Sequence, residues 1–105
     1  IPGLQERVRA CHPELSFRRL ASGETLPSKH TAAGVLRRVE LLAAAGLDPM
    51  PLGRLTTAQC VGVDDLLDAL VLVATARDML QGRAAHLPEG EAEHDALGLR
   101  MEIWY

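Results

Sequence analysis

The chain has 105 residues, enough for one small domain with a single core, and 48% of them are apolar, which argues against disorder. Its formal net charge of −3 gives no global attraction to nucleic acid or anionic membrane, so any such contact must be local. No apolar run approaches the length of a membrane span, and the N-terminal IPGLQERVRACHPE lacks the basic start and apolar stretch of a secretion signal, so the expected location is cytoplasmic.

From Glu6 to His12, Val8, Ala10 and His12 alternate with Arg7, Arg9 and Cys11, a short-strand pattern. Pro13 is suited to open a helix in which Leu15, Phe17 and Leu20 face inward and which Gly23 ends. SGETLPSKH reads as a loop. Thr31 is the natural cap of the next helix, where Val35, Val39 and Leu42 recur at helical spacing with Leu36 alongside. Arg37, Arg38 and Glu40 are expected on its outer side. Gly46, Pro49 and Pro51 stop it, and the stretch to Val61 is loop-like.

A longer helix is expected from Val63 to Gln81, with Gly82 as its stop. Leu66, Leu67, Leu70, Leu72, Val73, Ala74 and Ala76 cover most of its circumference. At about 100° per residue, Asp64, Asp68, Thr75 and Asp78 share one arc of roughly 80°, with Val71 the single apolar residue in it. HLPEGEAEHDALG reads as loop. The closing LRMEIWY alternates Leu99, Met101, Ile103 and Tyr105 against Arg100, Glu102 and Trp104, a strand pattern.

The acids of the long helix are the first chemical question. Asp64 and Asp65 suit a helix N-terminus, where the dipole favours each by about 0.3–1 kcal/mol. Asp68 is harder to explain, because Asp is a mediocre helix former and this one lies between Leu67 and Ala69. A buried carboxylate needs water, a cation or a metal. A solvated edge and a metal or catalytic site both remain open. His12-Pro13-Glu14 can ligate, act as acid or base, or simply cap a helix. Lys29 and His30 precede a helix start, a place suited to anions, although a plain soluble loop explains them too. Cys11 and Cys60 are expected as small buried thiols, a disulfide between them staying open, and no C-x-x-C or H-x-x-x-H spacing supports zinc.

CHPELSF at 11–17, LPSKHTAAGVLRR at 26–38, VDDLLDAL at 63–70 and GLRMEIWY at 98–105 together resemble the C-terminal half of the DUF429 family, expected to be ribonuclease-H-like nucleases. Separately, the D-x-x-D-A-L of Asp65 to Leu70 is similar to the last-helix motif of Holliday-junction resolvases. The resemblance implies an α/β, partial ribonuclease-H-like fold over residues 1–105, ordered strand, short helix, helix, helix, strand. It implies a divalent-metal-dependent phosphodiesterase in which Asp65 and Asp68 hold Mg²⁺ or Mn²⁺. His12 and Glu14 would assist as catalytic groups, and Lys29 and Arg38 would meet a substrate phosphate, nucleic acid being the implied partner.

Two departures accompany the resemblance. The three opening strands of such a fold, with their leading aspartate, have no counterpart here, and Ala10 stands where the family pattern carries an acid. The chain is therefore expected to be the trailing part of a domain that associates with an N-terminal segment or a second copy. The alternative is a non-catalytic oligomerising or partner-binding α/β module.

Overall fold

The computed structural model describes residues 2–54 and 61–105. A 3₁₀ turn at Pro2–Glu6 leads to helix α1 (Pro13–Leu20), helix α2 (Ala32–Ala44), a second 3₁₀ turn at Met50–Leu52 and helix α3 (Val63–Leu80). Four two-residue strands follow: β1 (His86–Leu87), β2 (Glu93–His94), β3 (Arg100–Met101) and β4 (Ile103–Trp104). The content is mixed α/β. No helix among the described residues is long and apolar enough to cross a membrane.

The helix boundaries follow the sequence signals. Pro13 opens α1, Thr31 caps α2 by accepting from the Gly34 N–H at 3.0 Å, and α3 begins after Gly62. All these helices end in the same left-handed turn. In α2, Leu47 N–H donates to the Leu42 carbonyl and Gly46 N–H to Ala43. In α3, Arg83 reaches Asp78 and Gly82 reaches Met79. In α1, Gly23 reaches Arg18 and Ser22 reaches Arg19, so the capping left-handed position falls on Ser22 (φ 55°), and Gly23 after it is left-handed as well (φ 85°).

The core lies where the helices meet. Phe17 of α1, Leu42 of α2, and Leu67 and Val71 of α3 are its buried centre, with Leu20, Leu26, Val35, Val39, Leu47 and Leu70 packed around them. A buried hydrogen bond of 2.7 Å between the Ser16 and Thr75 hydroxyls ties α1 to α3. The Arg77 guanidinium ties α3 to the end of α2 by donating to the Ala45 carbonyl at 2.8 Å.

Several expectations are corrected. The N-terminal strand is reduced to one parallel bridge, Cys11 with Trp104, and the 3₁₀ turn at Pro2–Glu6 precedes it. That turn is held by Gln5, whose side chain both donates to the Arg100 carbonyl and accepts from the Arg100 N–H. The closing strand is broken in two, and the preceding stretch read as loop supplies its partners. β1 pairs antiparallel with β4, and β2 with β3. Residues 88–92 stand opposite Glu102 alone, so the arm bulges there and the ladder restarts. The alternation holds in burial: Leu99, Met101 and Ile103 are exposed, while Arg100, Glu102 and Trp104 are sheltered.

The polar arc of α3 is corrected as well. Its centre, Val71 and Thr75, is the face packed on the other helices, and the outer face carries Ala69, Val73, Ala76 and Leu80 instead. Leu36, expected in the core, is 67% exposed, and Arg38, expected outside, is 2% exposed.

Replacing Ser22 by Gly should relieve a left-handed backbone and raise stability by about 0.5–1 kcal/mol, read as a higher urea midpoint. Replacing Gly34 by Ala should do the opposite. A Cβ there would lie 1.8 Å from the Ser28 carbonyl oxygen and 2.8 Å from that of Pro27, both backbone. The expected loss is roughly 1–3 kcal/mol, measured in the same titration.

Candidate functional site: paired acids and cations around the SKHT loop

The segment Leu26–Arg38 brings the expected site residues into contact, and its order is dictated locally. Thr31 Oγ1 donates to the Ser28 carbonyl at 2.7 Å while accepting from Gly34 N–H, closing a tight turn onto the start of α2. The Ser28 hydroxyl accepts from the His30 N–H at 3.2 Å. Gly34 has no side chain, so the Pro27–Ser28 backbone can lie directly on α2. Arg38, one turn further along, donates to the Pro27 carbonyl at 2.8 Å and to the Gly34 carbonyl at 3.0 Å.

The same guanidinium reaches Glu14 at 2.7 Å and lies 5.5 Å from the centre of the Phe17 ring. The Glu14 side chain is 41% exposed, whereas that of Arg38 is 3% exposed. Arg38 is thus a buried cation whose two terminal nitrogens meet one carboxylate and two carbonyls and whose plane lies by an aromatic face, while its Nε has no partner among the described residues.

Lys29, at the outer tip of the loop, meets Asp68 of α3 at 3.5 Å, with side-chain exposures of 33% and 24%. Each of these two expected acids is therefore paired with one of the two expected phosphate-binding cations: Glu14 with Arg38, Asp68 with Lys29. Asp65 is not drawn into this arrangement. It is exposed, and a Cβ built at Gly62 would lie 2.9 Å from an Asp64 oxygen and 3.6 Å from an Asp65 oxygen, so both carboxylates turn back toward the start of α3. That is the dipole-favoured position for an acid. His12 is exposed at the cap position of α1 and lines a hollow of about 340 Å³ with Glu14, Leu15, Arg18, Thr25 and Leu26. Among the described residues no three His, Cys, Asp or Glu side chains converge as a metal-holding group.

Cys11 is a half-buried free thiol, and burial raises its pKa. The question of a Cys11–Cys60 bond lies outside the described residues, as does Cys60 itself. The residue that sequence reasoning missed is Thr75, whose hydroxyl faces inward to Ser16. Helical periodicity alone groups it with the acids. Arg38 was singled out in the sequence, and Gly34, invisible as a site residue there, is what lets its loop come close.

Replacing Arg38 by Met should cost about 3 kcal/mol, because two carbonyls and a carboxylate lose their donor. Glu14→Gln should cost less, about 1 kcal/mol, since an amide oxygen still accepts from the guanidinium. Chemical unfolding of the two variants measures the difference.

Comparison with known proteins adds a family but no characterised relative. No curated protein and no solved structure matches the chain. The family described as "Protein of unknown function (DUF429)" matches residues 1–93, which take in the HPE, SKHT and DDLLDA segments and leave out GLRMEIWY. With nearly nine-tenths of its length so matched, the chain belongs to the DUF429 family.

Proposed function

We propose that this chain supplies the acids and cations of a ribonuclease-H-like phosphodiesterase that acts on nucleic acid with Mg²⁺ or Mn²⁺. The observation that carries the reading is Asp68, a largely sheltered carboxylate in a helix interior whose cationic partner is one partly exposed lysine at 3.5 Å. Asp68 explains itself poorly as a stability element, because a pair this open to water contributes only about 0–1 kcal/mol.

Asp65 and Asp68 stand one helical turn apart and would be the carboxylates for the ion. As they stand they are not a closed site: Asp65 turns toward Gly62 and Asp68 toward Lys29. Two carboxylates with water elsewhere are still a donor set that Mg²⁺ accepts, and a divalent ion outcompetes a single ammonium for charge. When bound, the ion would activate water and stabilise the leaving oxygen of a phosphodiester. On this reading Lys29 leaves Asp68 and becomes free for a phosphate oxygen. Arg38 holds Glu14 and the loop that carries Lys29, and His12, exposed beside Glu14, is placed for proton transfer.

A second reading, a non-catalytic association module, is favoured by a different observation. Apolar side chains crowd two outer surfaces: Val73 and Leu80 of α3 are 52% and 90% exposed, and Leu99, Met101 and Ile103 of the β arm are 38–47% exposed. Such surfaces suit a second copy or another segment laid against them.

Metal titration with thermal unfolding separates the two. A site of ~0.1 mM affinity at ~1 mM Mn²⁺ would stabilise by about 1.4 kcal/mol, a shift of several degrees. Wild type should show it, Asp68→Asn should lose it, and Lys29→Ala should enlarge it. An unfolding temperature indifferent to Mn²⁺ in all three proteins would remove the metal role. On the second reading Leu80→Lys should lower the solution mass by light scattering without altering the circular dichroism.

A further inference from the structure

Sharing Leu15 and Arg18 with the hollow beside Glu14, a second cavity of about 450 Å³ is lined by these two with Arg19, Ser22, Gly23, Leu87 and Tyr105. We propose that it binds a small organic anion: a phosphate or carboxylate carried on a flat, apolar ring. The inference goes beyond the phosphodiesterase reading and uses none of Asp65, Asp68 or Lys29.

The chemistry is set by how the cavity residues are committed elsewhere. Arg19 is committed to the main chain: its guanidinium donates to the Tyr105 main-chain oxygen at 3.0 Å and to the Arg83 carbonyl, and lies 5.9 Å from the centre of the Tyr105 ring. It therefore fixes the ring and the end of the arm against α1. Arg18 is different. Only its Nε is used, donating to the Gly23 carbonyl at 3.3 Å. Both terminal amino groups of this cavity-lining residue are left without a partner among the described residues. Arg9, Arg37, Arg38, Arg83 and Arg100 each have a carboxylate side chain beside them, whereas none lines this cavity. The Ser22 hydroxyl and the Tyr105 phenol likewise have no hydrogen-bond partner among the described residues, and both residues line the cavity.

The remaining wall is apolar, from Leu15, Leu87 and the Tyr105 ring. A forked cation at the rim, two hydroxyls and an apolar floor form a donor set with no acceptor charge, which complements an anion rather than a cation or a neutral lipid. The volume falls in the range of small-molecule sites and admits one ring with its acidic group. Ser22 adds a second indication. It holds a left-handed backbone that glycine would adopt more easily, and there its hydroxyl lines the cavity beside Arg18.

Phenyl phosphate is the probe, followed by calorimetry and by amide shifts in NMR spectra. The expected result is saturable binding with a dissociation constant on the order of 1 mM or tighter, with the largest shifts at residues 15–23, 87 and 105. Arg18→Ala, at an exposed position, should weaken it about tenfold. Ser22→Gly should weaken it roughly threefold while raising stability, so a fold defect and a lost ligand contact are read separately. Inorganic phosphate and phenol should each bind more weakly than the probe, since each lacks half of the recognised chemistry. A mononucleotide and a short 5′-phosphorylated oligonucleotide then separate a free metabolite from a strand end as the source of the group; binding of either upholds the site. No saturable response at ~10 mM phenyl phosphate, or an Arg18→Ala protein that binds as wild type does, would overturn the proposal. So would an equal response to phenol.

Discussion

The buried guanidinium of Arg38 is the constraint on which the rest of the helical layer depends. A permanently charged group with 3% of its side chain in contact with solvent must find carboxylate and carbonyl oxygens nearby. It finds Glu14 on α1, Gly34 on its own helix and Pro27 in the connecting loop. Those contacts decide where α1 sits against α2 and pull the SKHT loop onto the helix. The close approach is possible only because residue 34 has no Cβ. The loop in turn sets Lys29 opposite Asp68, so the position of α3 is registered by the same chain of contacts.

This arrangement gives the acids different standings. Glu14 is held at 2.7 Å by a buried guanidinium that two carbonyls also fix, which makes it part of the architecture first. Asp68 is held by a long, flexible, partly hydrated lysine, an exchangeable partner. Asp64 and Asp65 sit at the start of α3, where the helix dipole accounts for them. A functional reading that treats the four acids alike would miss this ordering. The acid with the weakest structural explanation is the one to test for chemistry.

The distribution of apolar surface runs against simple expectation. α3 carries apolar residues almost all the way round, yet the side it packs on the other helices includes Thr75, and the side left outside includes Val73 and Leu80. The β arm repeats the inversion, with Arg100 and Glu102 sheltered by contacts to Gln5, Glu6 and each other while Met101 and Ile103 face out. In both elements sheltered polar groups such as Thr75 and Arg100 have partners, so hydrogen bonds and ion pairs support the inversion where a simpler domain would use hydrophobic burial. The exposed apolar faces are the natural complement of that choice.

The sequence by itself determined the helices. Pro13, Thr31, Gly46 and Gly82 are local signals, acting through one residue's φ range or one side-chain bond, and they place the helix ends within a residue or two. It also singled out the HPE, SKHT and DDLLDA segments, whose residues the fold then brings into contact as Glu14–Arg38 and Lys29–Asp68. Tertiary structure alone decided which faces are inside. Helical periodicity grouped Thr75 with the acids and put Arg38 among solvated residues, because periodicity records polarity and not partners. A hydroxyl facing Ser16, or a guanidinium facing Glu14 and two carbonyls, becomes an inward group only once another element supplies those atoms. The strands were misplaced for the same reason, with one expected over Glu6–His12 and the stretch around Glu93 read as loop: two-residue ladders such as Glu93–His94 with Arg100–Met101 are set by the partner's register, which no single stretch of sequence contains.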